Sequence, residues 1–192
     1  MSMRPSLTTE RLLLRPLQAA DGPVIEGLLG DPRIAANTAA IPWPYPEGGG
    51  AQWIAGHQEE FERGRSVIWG ITWRADGTLL GVVALHRVAA HRRAELGYWL
   101  GSAWWGRGIA TEAARAALGY GLNVLGLQRV TAGHFAHNVA SGRVLQKLGM
   151  QREGCLRQHI LRDGVFHDLV CYGILRDEWR GIGDAPGGSP SG

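Results

Sequence analysis

Two cysteines among 192 residues, Cys155 and Cys171, are too few for a disulfide framework or a zinc site, and they are read as buried thiols. No apolar run approaches the roughly 20 residues that a bilayer span requires, so no membrane partner is expected. The opening Met1-Ser2-Met3-Arg4-Pro5 lacks the apolar core of a secretion signal, which points to a cytoplasmic location. Strong charge is missing too: the net charge is +3, the pI is near 9.2, and the arginines are dispersed. Dispersed cations give nucleic-acid binding little support, although a mildly positive balance suits an anionic ligand. No repeat recurs at periods of 20 to 50 residues. Of the seven histidines, His134 and His137 share a strand end with no carboxylate or thiolate at ligand spacing, so no metal is expected.

What is present is an ordinary globular composition, 45% apolar and 19% charged, in a chain long enough for a sizeable core. One domain over residues 1–180 is expected, followed by a Gly-, Pro- and Ser-rich tail over 181–192 read as disordered. Thr8 to Leu17 suits a first strand, and a short helix follows to Leu29 with Asp21 as its N-cap and Pro23 in its first turn. A proline-rich loop, 31–50, precedes a helix over Ala51 to Arg63. Ser66 to Trp73 and Thr78 to His86 read as strands joined at Ala75-Asp76-Gly77, and Ala94 to Leu100 as another. From Gly108 to Leu125 the residues Ile109, Ala113, Ala116, Ala117, Tyr120 and Val124 follow helical period. A strand over Gln128 to His134, a helix over Val139 to Leu148 and two long strands, Met150 to Leu161 and Val165 to Leu175, complete the order. The class is an α/β or α+β mixture around a largely antiparallel sheet.

Leu96-Gly97-Tyr98-Trp99-Leu100 running into Trp105-Gly106-Arg107-Gly108-Ile109-Ala110-Thr111-Glu112-Ala113 is the most informative stretch. A strand passes through a glycine turn into an alanine-rich helix. Helix N-termini carry unpaired N–H groups and partial positive charge, and small residues let a phosphate approach closely. Such a turn suits the pyrophosphate of a nucleotide-like cofactor. A dinucleotide-binding unit is an alternative, but the parallel strand–helix–strand unit with an acidic residue about 20 residues beyond the turn is not evident.

Four stretches in order carry a resemblance: Gly97-Tyr98-Trp99-Leu100, the turn from Trp105 to Ala113, Asn138-Val139-Ala140-Ser141, and Lys147-Leu148-Gly149-Met150. They are similar to the GNAT acetyltransferase superfamily, and the chain most resembles its RimJ/RimL-type ribosomal-protein N-acetyltransferases. The similarity runs from Leu7-Thr8-Thr9-Glu10-Arg11-Leu12 to Asp177-Glu178-Trp179. It implies a mixed, mostly antiparallel seven-stranded sheet flanked by about four helices and splayed between its fourth and fifth strands. It also implies acetyl-CoA as co-substrate without a metal, and direct transfer of the acetyl group to an amine. A protein or peptide N-terminal α-amine is the preferred acceptor. A small-molecule amine, a longer acyl donor such as succinyl-CoA, and a non-catalytic CoA sensor are the alternatives. A homodimer stays open.

Residue by residue, the resemblance places the pyrophosphate on Trp105, Gly106, Arg107, Gly108, Ile109, Ala110 and Thr111, where Trp105 replaces the usual Gln or Arg. It lays the pantetheine arm along the backbone of Tyr98, Trp99 and Leu100. Asn138 matches an amide contact to pantetheine and also suits an N-cap for the helix from Val139. Ser141 is the candidate acid or hydrogen-bond donor to the departing thiolate, because Leu145 stands where other branches carry a tyrosine. Its other reading is a small residue needed for close packing. Glu95 is the candidate base, unless strand alternation turns it to solvent. Ile160 occupies a position where some RimL-like proteins carry Glu. His134, His137, His159 and His167 are alternative bases or relay members, with His159 and His167 expected to face each other across the last hairpin. Trp43 and Tyr45 are read from their loop as a rim over the acceptor pocket.

Overall fold

In the computed structural model, which describes residues 3–181, one eight-stranded sheet runs through the whole domain. The 182–192 part of the expected tail lies outside the described residues. The strands are β1 (Leu7–Thr8), β2 (Leu12–Arg15), β3 (Ser66–Trp73), β4 (Leu79–Val88), β5 (Arg93–Leu100), β6 (Arg129–Phe135), β7 (Gln151–Arg162) and β8 (Val165–Leu175). The helices are α1 (Gly22–Leu29), α2 (Pro32–Ala35), α3 (Gly49–Ala55), α4 (His57–Glu62), α5 (Ile109–Gly119) and α6 (Val139–Lys147). Strand order is β1-β2-β3-β4-β5-β6-β8-β7, antiparallel except for the β5–β6 pair.

The extra strand corrects the expected seven. Thr8 to Leu17 is not one strand but a small hairpin, with Leu7 opposite Leu14 and a turn closed by the Thr9 N–H on the Leu12 carbonyl at 2.9 Å. The helix count also exceeds the expected four. Gly56 divides the 51–63 segment into α3 and α4, as the entropic cost of glycine inside a helix favours, and Asp31 caps the one-turn α2 through the Arg33 N–H. Asp21 does not cap α1 with its side chain. Its carboxylate accepts two bonds from Arg15, at 2.7 and 2.8 Å, and one from the Gln18 N–H.

After Gly119 the helix widens into a π turn over Tyr120–Val124, with the Leu125 N–H reaching back five residues to the Tyr120 carbonyl. The wider turn shifts the buried stripe: Leu122 is fully buried, whereas Val124, expected inside, is 68% exposed.

β3 and β4 are buried on both faces, because each face has its own core. On one, Trp69, Leu80, Leu85, Leu96 and Val130 pack beneath Ala113, Ala117 and Leu118 of α5 and Leu145 of α6. On the other, Ile68, Val82 and Ala84 pack against Ile25, Leu29, Ile34 and Ile54 of α1 to α3. Alternation along β5 puts Ala94, Leu96, Tyr98 and Leu100 toward the first core and sends Glu95 and Trp99 to the second face. Beyond β5 the second face opens, leaving Glu95 and Gly133 exposed.

Candidate functional site

The site begins where the sheet comes apart. β5 and β6 pair over only three positions, ending at Glu95 opposite Thr131. From Leu96 onward β5 is matched only by β4, and from Ala132 onward β6 is matched only by β8. The two strands diverge into a V with Glu95 and Thr131 at its apex. This is the splay expected between the fourth and fifth strands; the additional opening hairpin moves it to the fifth and sixth.

At the open end of the V lies the glycine turn. Gly106 and Gly108 have φ of +74° and +75°, the left-handed region that side chains with a Cβ rarely adopt. Gly108 is the N-cap of α5, and the first turn closes with the Glu112 N–H on the Gly108 carbonyl at 3.1 Å. The helix therefore presents the N–H groups of its opening residues outward. Ile109 is 1% exposed, so it offers this surface its backbone alone. Trp105 braces the turn: its indole N–H donates to the Leu100 carbonyl at 2.9 Å, and the Arg33 guanidinium lies 5.9 Å from its ring. The Leu100 carbonyl is thus already bonded. Arg107 lies over Trp104 at 5.2 Å.

The sequence reading assigned no role to Arg11, Thr9 or Glu112, and these three fasten the turn to the opening hairpin. Glu112 accepts from the Thr9 hydroxyl at 2.6 Å, the Arg11 N–H at 2.9 Å and Arg11 Nε at 2.7 Å. Burial opposes its charge, yet these donors hold the Glu112 carboxyl below the ordinary carboxylate range. Arg11 Nη1 also donates to the Arg107 carbonyl, and Nη2 lies 3.5 Å from where a Cβ on Gly108 would sit. Contacts across about 100 residues leave no local signal.

On the other arm of the V, α6 starts at Asn138, whose side-chain oxygen accepts from the Ser141 N–H at 3.1 Å. The capping reading of Asn138 is realised. Ser141 Oγ lies 2.8 Å from the Tyr98 hydroxyl, a side-chain link that the sequence reading missed by considering only the Tyr98 backbone. Strand parity, which sends Tyr98 to the face covered by α6, was the available signal.

Below the apex, on the open face, Glu95, Thr131, Gly133, Leu169, Cys171 and Glu153 line a cavity of about 260 Å³. Glu95 is exposed and so reaches both the cavity and solvent. A bulge between Arg152 and Gly154 puts Glu153 over Gly173, where Arg129 pairs with it. Burial, followed by Cys155, Glu153 and Glu95, pushes the Cys171 thiol up. The buried-thiol reading is corrected here: Cys155 is exposed because β7 is the sheet's edge strand, and Cys171, on β8, is only half-buried because it faces the open cavity.

The aromatic loop approaches the same face. Arg162 donates to the Thr38 and Ile41 carbonyls, and a ring N–H of His137 donates to the Ala36 carbonyl at 3.1 Å. Trp43 is 44% exposed, whereas Tyr45 is half-buried against the second core. Histidine placement departs from expectation. A second β7 bulge, between Leu156 and Ile160, sets Ile160 opposite His167 and leaves His159 out of register and exposed. His167 instead stacks on Phe135 at 4.9 Å. His134 is buried, with Nδ1 2.7 Å from the Phe135 carbonyl.

Among the described residues no group of three or more His, Cys, Asp or Glu side chains is placed to hold a metal ion. No helix there is long and apolar enough to cross a membrane. The turn instead fits a diphosphate: two glycines without Cβ atoms lead into unpaired amides at the head of α5, with Arg11 and Arg107 beside them.

Comparison with known proteins bears on the family. The sequence profile of the family described as "Acetyltransferase (GNAT) domain" matches residues 11–151. An uncharacterized N-acetyltransferase of Bacillus subtilis, YoaA, is 33% identical over 180 residues, covering 91% of this chain and 98% of its own. The [ribosomal protein uS5]-alanine N-acetyltransferase of Escherichia coli is 28% identical over 184 residues, covering 90% of this chain and 92% of its own. Among solved structures, Mycobacterium smegmatis RimJ in complex with CoA-disulfide superposes with a TM-score of 0.82 at 23% identity, covering 91% of this chain and 89% of its own.

Proposed function

The chain belongs to the GNAT acetyltransferase family and is an N-acetyltransferase, and from that premise we propose that it moves acetyl from acetyl-CoA directly to an N-terminal α-amine of a protein or peptide. The observation that carries the reading is the parting of β5 from β6 after Glu95 and Thr131, with the α5 amides at its mouth and the cavity at its apex. When bound there, acetyl-CoA supplies an activated acyl thioester. The backbone amides of Gly106 to Thr111 hold the diphosphate, and the free edge of β5 at Tyr98 and Trp99 aligns the pantetheine arm. Asn138, its Oδ1 occupied by the cap, has its Nδ2 as the donor for the same arm.

Glu95, at the apex, takes the proton of the attacking amine directly or through water. Ser141 donates a hydrogen bond to the departing sulfur. Trp43 and Tyr45 form the rim on the acceptor side. The acceptor class follows from how little base is needed. An α-amine with pKa near 7.7–8.0 is roughly 9–17% neutral at pH 7, whereas a lysine near 10.4 is below about 0.1%. A single exposed carboxylate therefore suits an α-amine, with positioning contributing several kcal/mol. The Escherichia coli relative, named for the alanine of ribosomal protein uS5, supports the same class.

The test is thiol release from acetyl-CoA with a panel of peptides bearing free or blocked N-termini, polyamines and aminoglycosides. Turnover with free N-termini that disappears on blocking supports the reading. Turnover confined to small amines moves the acceptor to that class, and cofactor binding with no turnover leaves a sensor.

A further inference from the structure

The hydroxyl of Tyr98 plays no part in the roles given so far, yet it meets the only side chain assigned to the leaving group. We propose that Tyr98 is a positioning residue for acyl transfer: its hydroxyl donates to Ser141 Oγ, so that the Ser141 proton is directed to the sulfur as the carbon–sulfur bond breaks. This rests on the reading of Ser141 as the donor to the departing thiolate.

Ser141 is held from two sides. Its N–H lies 3.1 Å from both the side-chain and the backbone oxygen of Asn138, which fixes the first turn of α6. Its Oγ lies 2.8 Å from Tyr98 Oη, whereas its carbonyl is farther from the phenol, at 3.3 Å. Each hydroxyl has one proton to give. If Ser141 donated to the phenol, its proton would be unavailable to sulfur. At 2.8 Å either oxygen can donate by geometry; the phenol is the more acidic of the two hydroxyls and so the better donor, and its contact with Oγ is shorter than the one with the Ser141 carbonyl.

Tyr98 keeps its proton throughout. Burial pushes its phenol up to about 12, the Ser141 hydrogen bond only partly opposing this. A thiolate whose conjugate acid titrates near 8.5 is too weak a base to remove that proton. The carbon–sulfur electron pair therefore leaves on sulfur as thiolate, stabilised by the Ser141 O–H. The amine proton goes to Glu95 or water. The two hydroxyls transfer nothing and act as a polarised chain of donors.

The experiment is a double-mutant cycle with Y98F, S141A and the double variant, reading kcat and the KM for acetyl-CoA by thiol release. S141A is expected to lower kcat about 100-fold. Y98F is expected to lower it about tenfold, as for one lost hydrogen bond, with the KM for acetyl-CoA within about twofold. In the S141A background, Y98F should have no further effect. A tenfold loss that persists there overturns the role of Tyr98 alone, as does full turnover by Y98F. Wild-type turnover by S141A overturns the Ser141 reading and the proposal with it. Replacing Tyr98 by 3-fluorotyrosine keeps the ring and makes the hydroxyl a stronger donor, so it reads the hydrogen bond even if Y98F loosens the packing. A rise in kcat supports the proposal, and an unchanged or lower kcat overturns it.

Discussion

Arg11 Nε meets the Glu112 carboxylate at 2.7 Å, joining the turn of the first hairpin to the first turn of α5. The contact has an electrostatic consequence. A carboxylate beside a diphosphate site would repel the ligand, and Glu112 stands in the turn that presents the amides. Arg11 and Thr9 neutralise and bond it, so the helix end stays attractive to anions. Arg11→Ala should therefore weaken acetyl-CoA binding about tenfold by calorimetry, and adding Glu112→Gln should restore most of that loss. If the double variant binds as weakly as the single, Arg11 acts by contacting phosphate rather than by cancelling Glu112.

Gly108 offers a sharper test, because conformation and charge can be separated. A Cβ there would meet only Arg11 Nη2, at 3.5 Å, but the φ of +75° strains any side chain by about 1–2 kcal/mol. Gly108→Ala should lower the affinity for acetyl-CoA by a modest factor. Gly108→Glu, which adds a negative charge where the diphosphate binds, should abolish measurable binding. Equal affinities for the two variants would count against the placement of the cofactor on this turn.

What the sequence disclosed follows from the range of the forces involved. β3 and β8 were read with their observed ends, because β-branched and aromatic residues bounded by a Gly77 or Gly164 turn are local signals. The glycine turn and the Asn138 cap were equally legible, since backbone conformation and capping act within three residues. The first strand was misread because a Thr9 turn was passed over, the Thr9 hydroxyl accepting from the Leu12 N–H and the Thr9 N–H donating to the Leu12 carbonyl; only its fastening to Glu112 is distant in the chain. Val124 was misplaced because a π turn has a period that no 3.6-residue stripe anticipates. Glu153 and His159 escaped for a related reason: a bulge changes which face a side chain takes, and only the partner strand reveals it.

Glu95 sits at the apex of the V and on the cavity, so its removal should affect the acceptor half of the reaction. Glu95→Gln should reduce kcat/KM for an α-amine peptide about 100-fold, within the range of lost general-base catalysis. The dissociation constant for acetyl-CoA should stay unchanged. Raising the pH should recover part of the loss, because more of the amine is then already neutral. An unaltered kcat/KM would transfer the base role to water.

His57 yields a prediction about acid stability. It is 4% exposed, its ring meets the edge of Trp53 at 4.4 Å, and among the described residues neither ring nitrogen finds a hydrogen-bond partner. Burial lowers its pKa from 6.5 to about 4, with Arg4 and His86 pushing the same way and Glu60 opposing. The unfolded chain takes up a proton near 6.5, while the folded protein resists it until about 4. Below pH 6.5 the unfolded state therefore binds more protons, and stability falls as the pH drops through this window. His57→Phe keeps the aromatic contact, removes both unpartnered nitrogens and abolishes this proton uptake. At pH 7.5 the variant should melt within a few degrees of the parent, since exchanging an unsatisfied polar ring for an apolar one of similar shape is near neutral. At pH 5 the parent should have lost several degrees more than the variant, by differential scanning calorimetry at matched ionic strength. Parallel Tm curves for the two proteins between pH 7.5 and 5 would mean that His57 is protonated at its ordinary pH in the folded state.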